Sequence, residues 1–172
     1  MKKFMLVLAM AVCASVGFAQ ALDQDSMELG LGGIVDFEGV DSSVDYTFDV
    51  SYGYFILDDI EIGPMIGFSS YGKLESFSIG VFGEYNIDFD SPVVPYVALR
   101  FAYVSAKNDY VGGDNKNSAE FEPAAGLKFF IAENVAISGE FYYDIASDDV
   151  YYNDNEMKNN DYGLKFGVRS FF

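Results

Sequence analysis

The 172 residues contain no histidine, and that absence limits the chemistry open to the chain. Without His there is no ordinary general base near neutral pH, no Ser-His or Cys-His nucleophile pair, and none of the commonest metal ligand. The one cysteine, Cys13, sits in an N-terminal apolar run. What remains is carboxylate chemistry, with 27 Asp and Glu against 10 Lys and Arg. Two acids such as Glu84 and Glu140 are able in principle to work as an acid-base pair. With Arg100 and Lys165 near them, they read more simply as ion-pair partners. The run Asp154-Asn155-Glu156 offers oxygens to a hard cation but lacks the spacing and glycine of a calcium loop. From these residues no enzyme, no cofactor and no specific metal site is expected.

Composition narrows the rest. A formal charge of −17 and a pI near 4.1 exclude a nucleic-acid partner, because phosphate backbones require a basic footprint. Disorder is excluded by 51% hydrophobic residues, including 17 Phe and 13 Tyr. One domain fits the length. A chain so acidic and so aromatic must hold the two residue classes apart in space.

The N-terminus reads as a secretory leader. Met1-Lys2-Lys3 is basic, residues 4–18 are apolar except for Ser15 and Gly17, and Ala19-Gln20-Ala21 is an A-x-A cleavage signal. Cleavage after Ala21 is expected, with Gly17-Phe18-Ala19 as a second cut, giving a leader of residues 1–21 and a domain of residues 22–172. Cys13 leaves with the leader, so disulfides are not expected, and loss of Lys2 and Lys3 takes the charge to 8 − 27 = −19. No later window approaches eighteen consecutive apolar residues, so no transmembrane helix is expected.

From residue 26 onward the recurring pattern has a period of two, in eight segments of about ten residues separated by Asp, Asn, Ser and Gly clusters. Leu29 and Leu31, Phe48 and Val50, Ile66 and Phe68, Ile79 and Val81, Leu99 and Phe101, Leu127 and Phe129, Ile137 and Phe141, and Leu164 and Phe166 mark one face, which carries no charge. The interleaved face holds charges of both signs among glycines such as Gly30, Gly53, Gly126 and Gly167. Small residues suit the crowded interior of a small barrel, and segments of this length match tilted membrane-spanning strands. The aromatic face is therefore assigned to lipid and the mixed face to the lumen. Long hydrophilic connections at 107–118 and 147–161, against short ones at 57–59 and 132–134, place both chain ends on the periplasmic side.

At this point the chain resembles the small eight-stranded outer-membrane barrels, the family of OmpX and of the transmembrane domain of OmpA. The leader, the eight alternating segments and the final strand carry the resemblance. In that strand Tyr162, Leu164, Phe166, Val168 and Phe172 look like the family's C-terminal assembly signal, alternate hydrophobics ending in an aromatic. The resemblance implies an all-β, eight-stranded antiparallel up-and-down transmembrane barrel in the bacterial outer membrane. Outer-membrane lipid and the outer-membrane assembly machinery are the implied partners, and the protein is expected to be a monomer. The cell-wall-binding domain that follows the barrel in OmpA-like proteins is not seen after Phe172, so direct tethering is not expected.

Eight strands leave a lumen just wide enough for side chains to fill. By parity, Asp49, Glu84, Arg100, Glu140 and Lys165 point inward at middle depth and Glu28, Glu61, Lys128 and Arg169 nearer the periplasm. The middle set is expected to form a mutually paired network, the alternative being that these groups face trapped water. Nearer the outer rim Asp36, Glu38, Asp45, Glu120, Glu122 and Asp144 are all acidic, and Asp109, Asp114, Asp148, Asp149, Asp154, Glu156 and Asp161 add to a negative mouth. Solvated, aggregation-resistant loops are the expectation there, with attraction of divalent cations as the sharper alternative. Tyr110, Tyr151 and Tyr152 are assigned to an upper aromatic belt in preference to a partner surface. The functional expectation is a non-enzymatic barrel serving membrane integrity or surface interaction. A narrow cation-leaning channel is the alternative, and a soluble ligand-binding barrel is a more distant one.

Overall fold

The computed structural model describes residues 22–36, 45–71, 74–89, 91–108, 115–153 and 156–172. The expected leader with Cys13, and the loop residues Glu38, Asp109, Tyr110, Asp114 and Asp154, lie outside the described residues, as do the side chains of Asp36, Asp45, Tyr152 and Glu156.

Eight long strands follow the eight alternating segments: β1 (Met27–Asp36), β2 (Asp45–Leu57), β3 (Ile60–Tyr71), β4 (Leu74–Asn86), β5 (Val93–Asn108), β6 (Asn115–Ala132), β7 (Val135–Ala146) and β10 (Asn160–Phe171). Each pairs antiparallel with its neighbours, and β10 closes on β1 with Glu28 opposite Phe171 and Gly33 opposite Phe166. Closure leaves no strand edge with unpaired backbone groups, the condition for a sheet to sit in hydrocarbon.

Because side chains alternate, one face of every strand points out. Aliphatic residues occupy the middle of that outer surface, with Val81 58% and Leu99 51% exposed. Exposed aromatics mark its two ends, Tyr46, Phe68, Phe77, Tyr103, Tyr143 and Tyr162 toward one and Tyr54, Tyr85, Phe89 and Phe172 toward the other, while Phe101, Phe141 and Phe166 stand among the aliphatics between, Phe101 directly opposite Val81. An apolar band between two aromatic girdles is the surface a bilayer requires. Val135 departs from the outward assignment at 2% exposure, at the foot of β7 between Ala132 and Ser170.

The described residues of the expected loop at 107–118, namely 107–108 and 115–118, are strand, since β5 and β6 run on as a paired hairpin to Lys107 opposite Asn115. Backbone pairing does not need an apolar face, so it continues where the alternation fades. The expected loop at 147–161 likewise holds a small ribbon, β8 (Tyr151–Asn153) paired with β9 (Glu156–Lys158).

At the opposite, short-turn end a collar of backbone bonds ties the chain together. Asp59 N–H donates to Leu22 O at 2.9 Å, Phe171 N–H donates to Asn134 O at 2.9 Å, and Met27 and Phe172 exchange bonds at 2.9 and 3.0 Å. Beneath the lumen Leu22, Phe55, Val94, Phe130, Ala136 and Phe171 form a buried apolar cluster, with the Phe130 and Phe171 rings 5.1 Å apart.

Candidate functional site

Long charged side chains occupy the lumen because glycines leave space for them. A Cβ on Gly53 would lie 2.3 Å from Glu61 Oε2, and one on Gly126 would lie 2.7 Å from the Tyr96 ring.

The charges meet in two tiers. In the lower tier Lys128, fully buried, places Nζ 2.5 Å from Glu28, 2.6 Å from Glu84 and 3.6 Å from Glu61. Strand register explains the grouping, since Glu61 and Glu84 stand directly opposite each other on β3 and β4. Arg169 adds a 2.8 Å pair with Glu28 and reaches up to Glu140 at 3.9 Å.

In the upper tier Arg100 pairs with Glu122, its direct neighbour across β5 and β6, and with Glu140 at 2.7 Å. Lys165 stands beside Glu140 across β7 and β10, yet its Nζ reaches over the lumen to Glu122 at 2.6 Å. The Tyr96 hydroxyl donates to Glu140 at 2.7 Å, and Lys165 Nζ lies 4.2 Å from the Tyr142 ring centroid. Burying one such charge alone would be strongly unfavourable. Mutual pairing with satisfied hydrogen bonds is what makes the arrangement tolerable.

Of the five residues singled out from sequence, Arg100 and Glu140 meet directly, and Lys165 joins them through Glu122. Glu84 belongs to the lower tier, because its cross-strand partner is Glu61. Asp49 stands apart. It lies over Gly32 with Oδ1 buried and without a hydrogen-bond partner, and no ion pair joins it to a described residue. Glu122, placed by sequence on the acidic rim, is instead the hub of the upper tier at 2% exposure. Counting across the β5–β6 hairpin would have exposed its register with Arg100, had the hairpin's length been known. Glu84 and Glu140 sit in different tiers, each held by a cation, an arrangement suited to ion pairing and not to shuttling a proton between them.

Above the upper tier lies a cavity of about 160 Å³ lined by Asp49, Glu120, Glu122, Asp144, Tyr151 and Asp161 among others. Tyr151 is not part of the outer belt. Its hydroxyl donates inward to Glu120, and its ring packs on Ala106, Ala146 and Val150. On β10, Tyr162, Leu164 and Phe166 are exposed on the outer face with Val168 half-buried, and Phe172, just past the strand's end, is exposed too with its ring 6.3 Å from Tyr52.

A family model for the outer membrane protein beta-barrel domain matches residues 4–169. Among solved structures, the N-terminal β-barrel domain of Pseudomonas aeruginosa OprF superposes with a TM-score of 0.65 at 19% identity, covering 87% of this chain and 98% of that one. Neisserial surface protein A gives 0.58 at 22% identity, with 86% and 95% covered. OprG from Pseudomonas aeruginosa gives 0.55 at 13%, with 87% and 96% covered. At these identities the likeness is one of fold. No curated protein sequence matches significantly.

Proposed function

The chain belongs to the outer membrane protein β-barrel family, and on that premise we propose that it is a non-enzymatic, monomeric barrel that supports outer-membrane integrity or surface interaction through its acidic outer end. The observation that carries this reading is the crossing of the lumen by buried charge. Lys128, Glu61 and Glu84 are 0%, 0% and 3% exposed, and the apolar cluster around Phe171 lies below them. A lumen filled in this way favours a rigid pillar presenting loops over a conduit.

A narrow cation-leaning channel is the second reading, favoured by the acidic cavity above Glu122. Planar-bilayer recording on the purified barrel separates the two. The integrity reading expects no reproducible steps, whereas regular cation-selective conductance would replace it with the channel. Residues 1–21 are proposed to be removed on export. The mass of the protein extracted from outer membranes should then correspond to a chain beginning at Leu22.

A further inference from the structure

We propose that residues 147–151 form a latched strap at the outer mouth of the lumen, and that its release opens the upper cavity to solutes from outside. The connection between β7 and β10 leaves and re-enters the barrel wall at one point, where Ala146 N–H donates to Asn159 O at 2.7 Å. A loop anchored in that way is free to stand out into solvent. Its first part instead turns inward and leaves Val150 only 2% exposed.

Two sets of contacts hold the strap. The first is a hinge on β6, which outruns β7: their last pairing is Glu120 with Ala146, so the β6 edge above that point needs other partners. Ser147 N–H donates to Ala119 O at 2.9 Å, Ala119 N–H donates to Ser147 Oγ at 3.1 Å, and Asp148 N–H donates to Ser118 Oγ at 3.1 Å. The second set is the latch. Val150 clusters with Ala106 and Ala146, the Tyr151 ring packs against them, and the Tyr151 hydroxyl donates to Glu120.

Latched, Val150 and Tyr151 become wall of the cavity of about 160 Å³, whose lining also includes Thr47 and Ser69. These two belong to β2 and β3, which lie across the closed barrel from β6 and β7, so the strap narrows the mouth from one side. The latch is weaker than the wall it is fastened to. Its apolar cluster is built on two alanines and a valine, its polar contact is one hydroxyl, and β8 and β9 beyond it form a two-stranded sheet of their own. Such a ribbon has little stability by itself. Release therefore requires loss of the latch contacts while the eight-stranded ladder stays closed, a local opening far less costly than unfolding. The inference holds whether or not ions pass the charge tiers below, because the strap governs only access from outside.

The test is thiol accessibility in the full chain carrying Cys13→Ser, which leaves no other cysteine. Ser78→Cys puts a thiol in the cavity wall, and its modification by N-ethylmaleimide, a small neutral reagent, is timed in the detergent-folded barrel. Reaction well below the rate of Lys107→Cys on the exposed hairpin is expected. Tyr151→Ala should speed the Ser78→Cys reaction more than about tenfold, and Tyr151→Phe, which removes only the bond to Glu120, by roughly threefold to tenfold. Ser138→Cys, at a 3% exposed position beside Arg169 in the lower lumen, should stay protected in both, which distinguishes a strap that lifts from a barrel that loosens. Each variant is first shown to be folded by its shifted migration before boiling. Should Tyr151→Ala fail to fold, Tyr151→Phe decides. A Ser78→Cys thiol as reactive as Lys107→Cys with Tyr151 in place, a rate unmoved in the folded Tyr151 variants, or equal acceleration at Ser138→Cys would overturn the strap.

Discussion

Removing the Arg100 guanidinium leaves Glu122 and Glu140 facing each other's charge with one cation fewer between them, in a place where both are at most 6% exposed. Truncating one partner of a buried pair costs about 3–5 kcal/mol. Arg100→Ala should therefore lower the urea midpoint of the detergent-folded barrel well beyond Lys107→Ala, whose side chain is exposed on the extended hairpin. Equal midpoints would mean that the lumenal charges are hydrated independently. A different balance holds at Asp59, in the β2–β3 turn with φ 66°. Burial, together with the charges of Asp88, Asp58 and Asp23, raises its carboxyl above the ordinary carboxylate value. A raised acid binds its proton more tightly folded than unfolded, so this group destabilises the fold as pH rises through the carboxylate range. Asp59→Asn should raise the urea midpoint at pH 7 and leave it unchanged at pH 3, where both states are protonated. The left-handed backbone of the turn accepts Asn as readily as Asp.

At the scale of the element, β10 has two tasks on two faces. Inward, Lys165 and Arg169 tie both tiers together, while Phe171 belongs to the apolar cluster below. Outward, Tyr162, Leu164, Phe166 and Phe172 meet lipid, the last at 63% exposure. A residue so exposed contributes little to the packed interior. If the outer face of this strand acts as the assembly signal, Phe172→Ala should reduce the amount of protein reaching the outer membrane of cells. Its urea midpoint after refolding in detergent should stay close to that of wild type. A large fall in that midpoint instead would assign Phe172 to stability.

For the whole molecule the decisive division is between the outer band and everything else. Leu99 stands in the middle of that band, and Leu99→Arg should cost about 2–4 kcal/mol when the barrel folds into a bilayer. The same substitution in a soluble barrel would place Arg in water at little cost, so folding free energies in vesicles test the lipid assignment. Ala98→Arg is no benign counterpart, since Ala98 is 3% exposed and packs with Tyr96, Ala124 and Tyr142. Around the band, the acids divide between the lumen, where they meet Lys and Arg, and the aqueous ends.

The period-two alternation by itself sorted each strand's residues onto two faces, because successive side chains point to opposite sides whatever the sheet does next, and the glycines on the charged face together with the segment length gave the aromatic face to lipid. It also determined the number of strands and their antiparallel order, since short turns permit little else. Parity placed Glu84, Arg100, Glu140 and Lys165 inside, but which of them meet was not legible. Height in a tilted barrel depends on register, and a Lys or Arg reaches partners several strands away. That is why Glu122 moved from the rim to the hub, Glu84 fell to the lower tier, and Asp49 has no ion pair with another described residue. Tyr151 shows the same limit, because only the folded β7–β8 connection turns its ring inward over Val150 and its hydroxyl onto Glu120. The alternation is written into the backbone of every strand, whereas the meeting of Glu120, Glu122 and Asp144 required the hairpin of β6 and β7 to set their heights and bring their oxygens to one point.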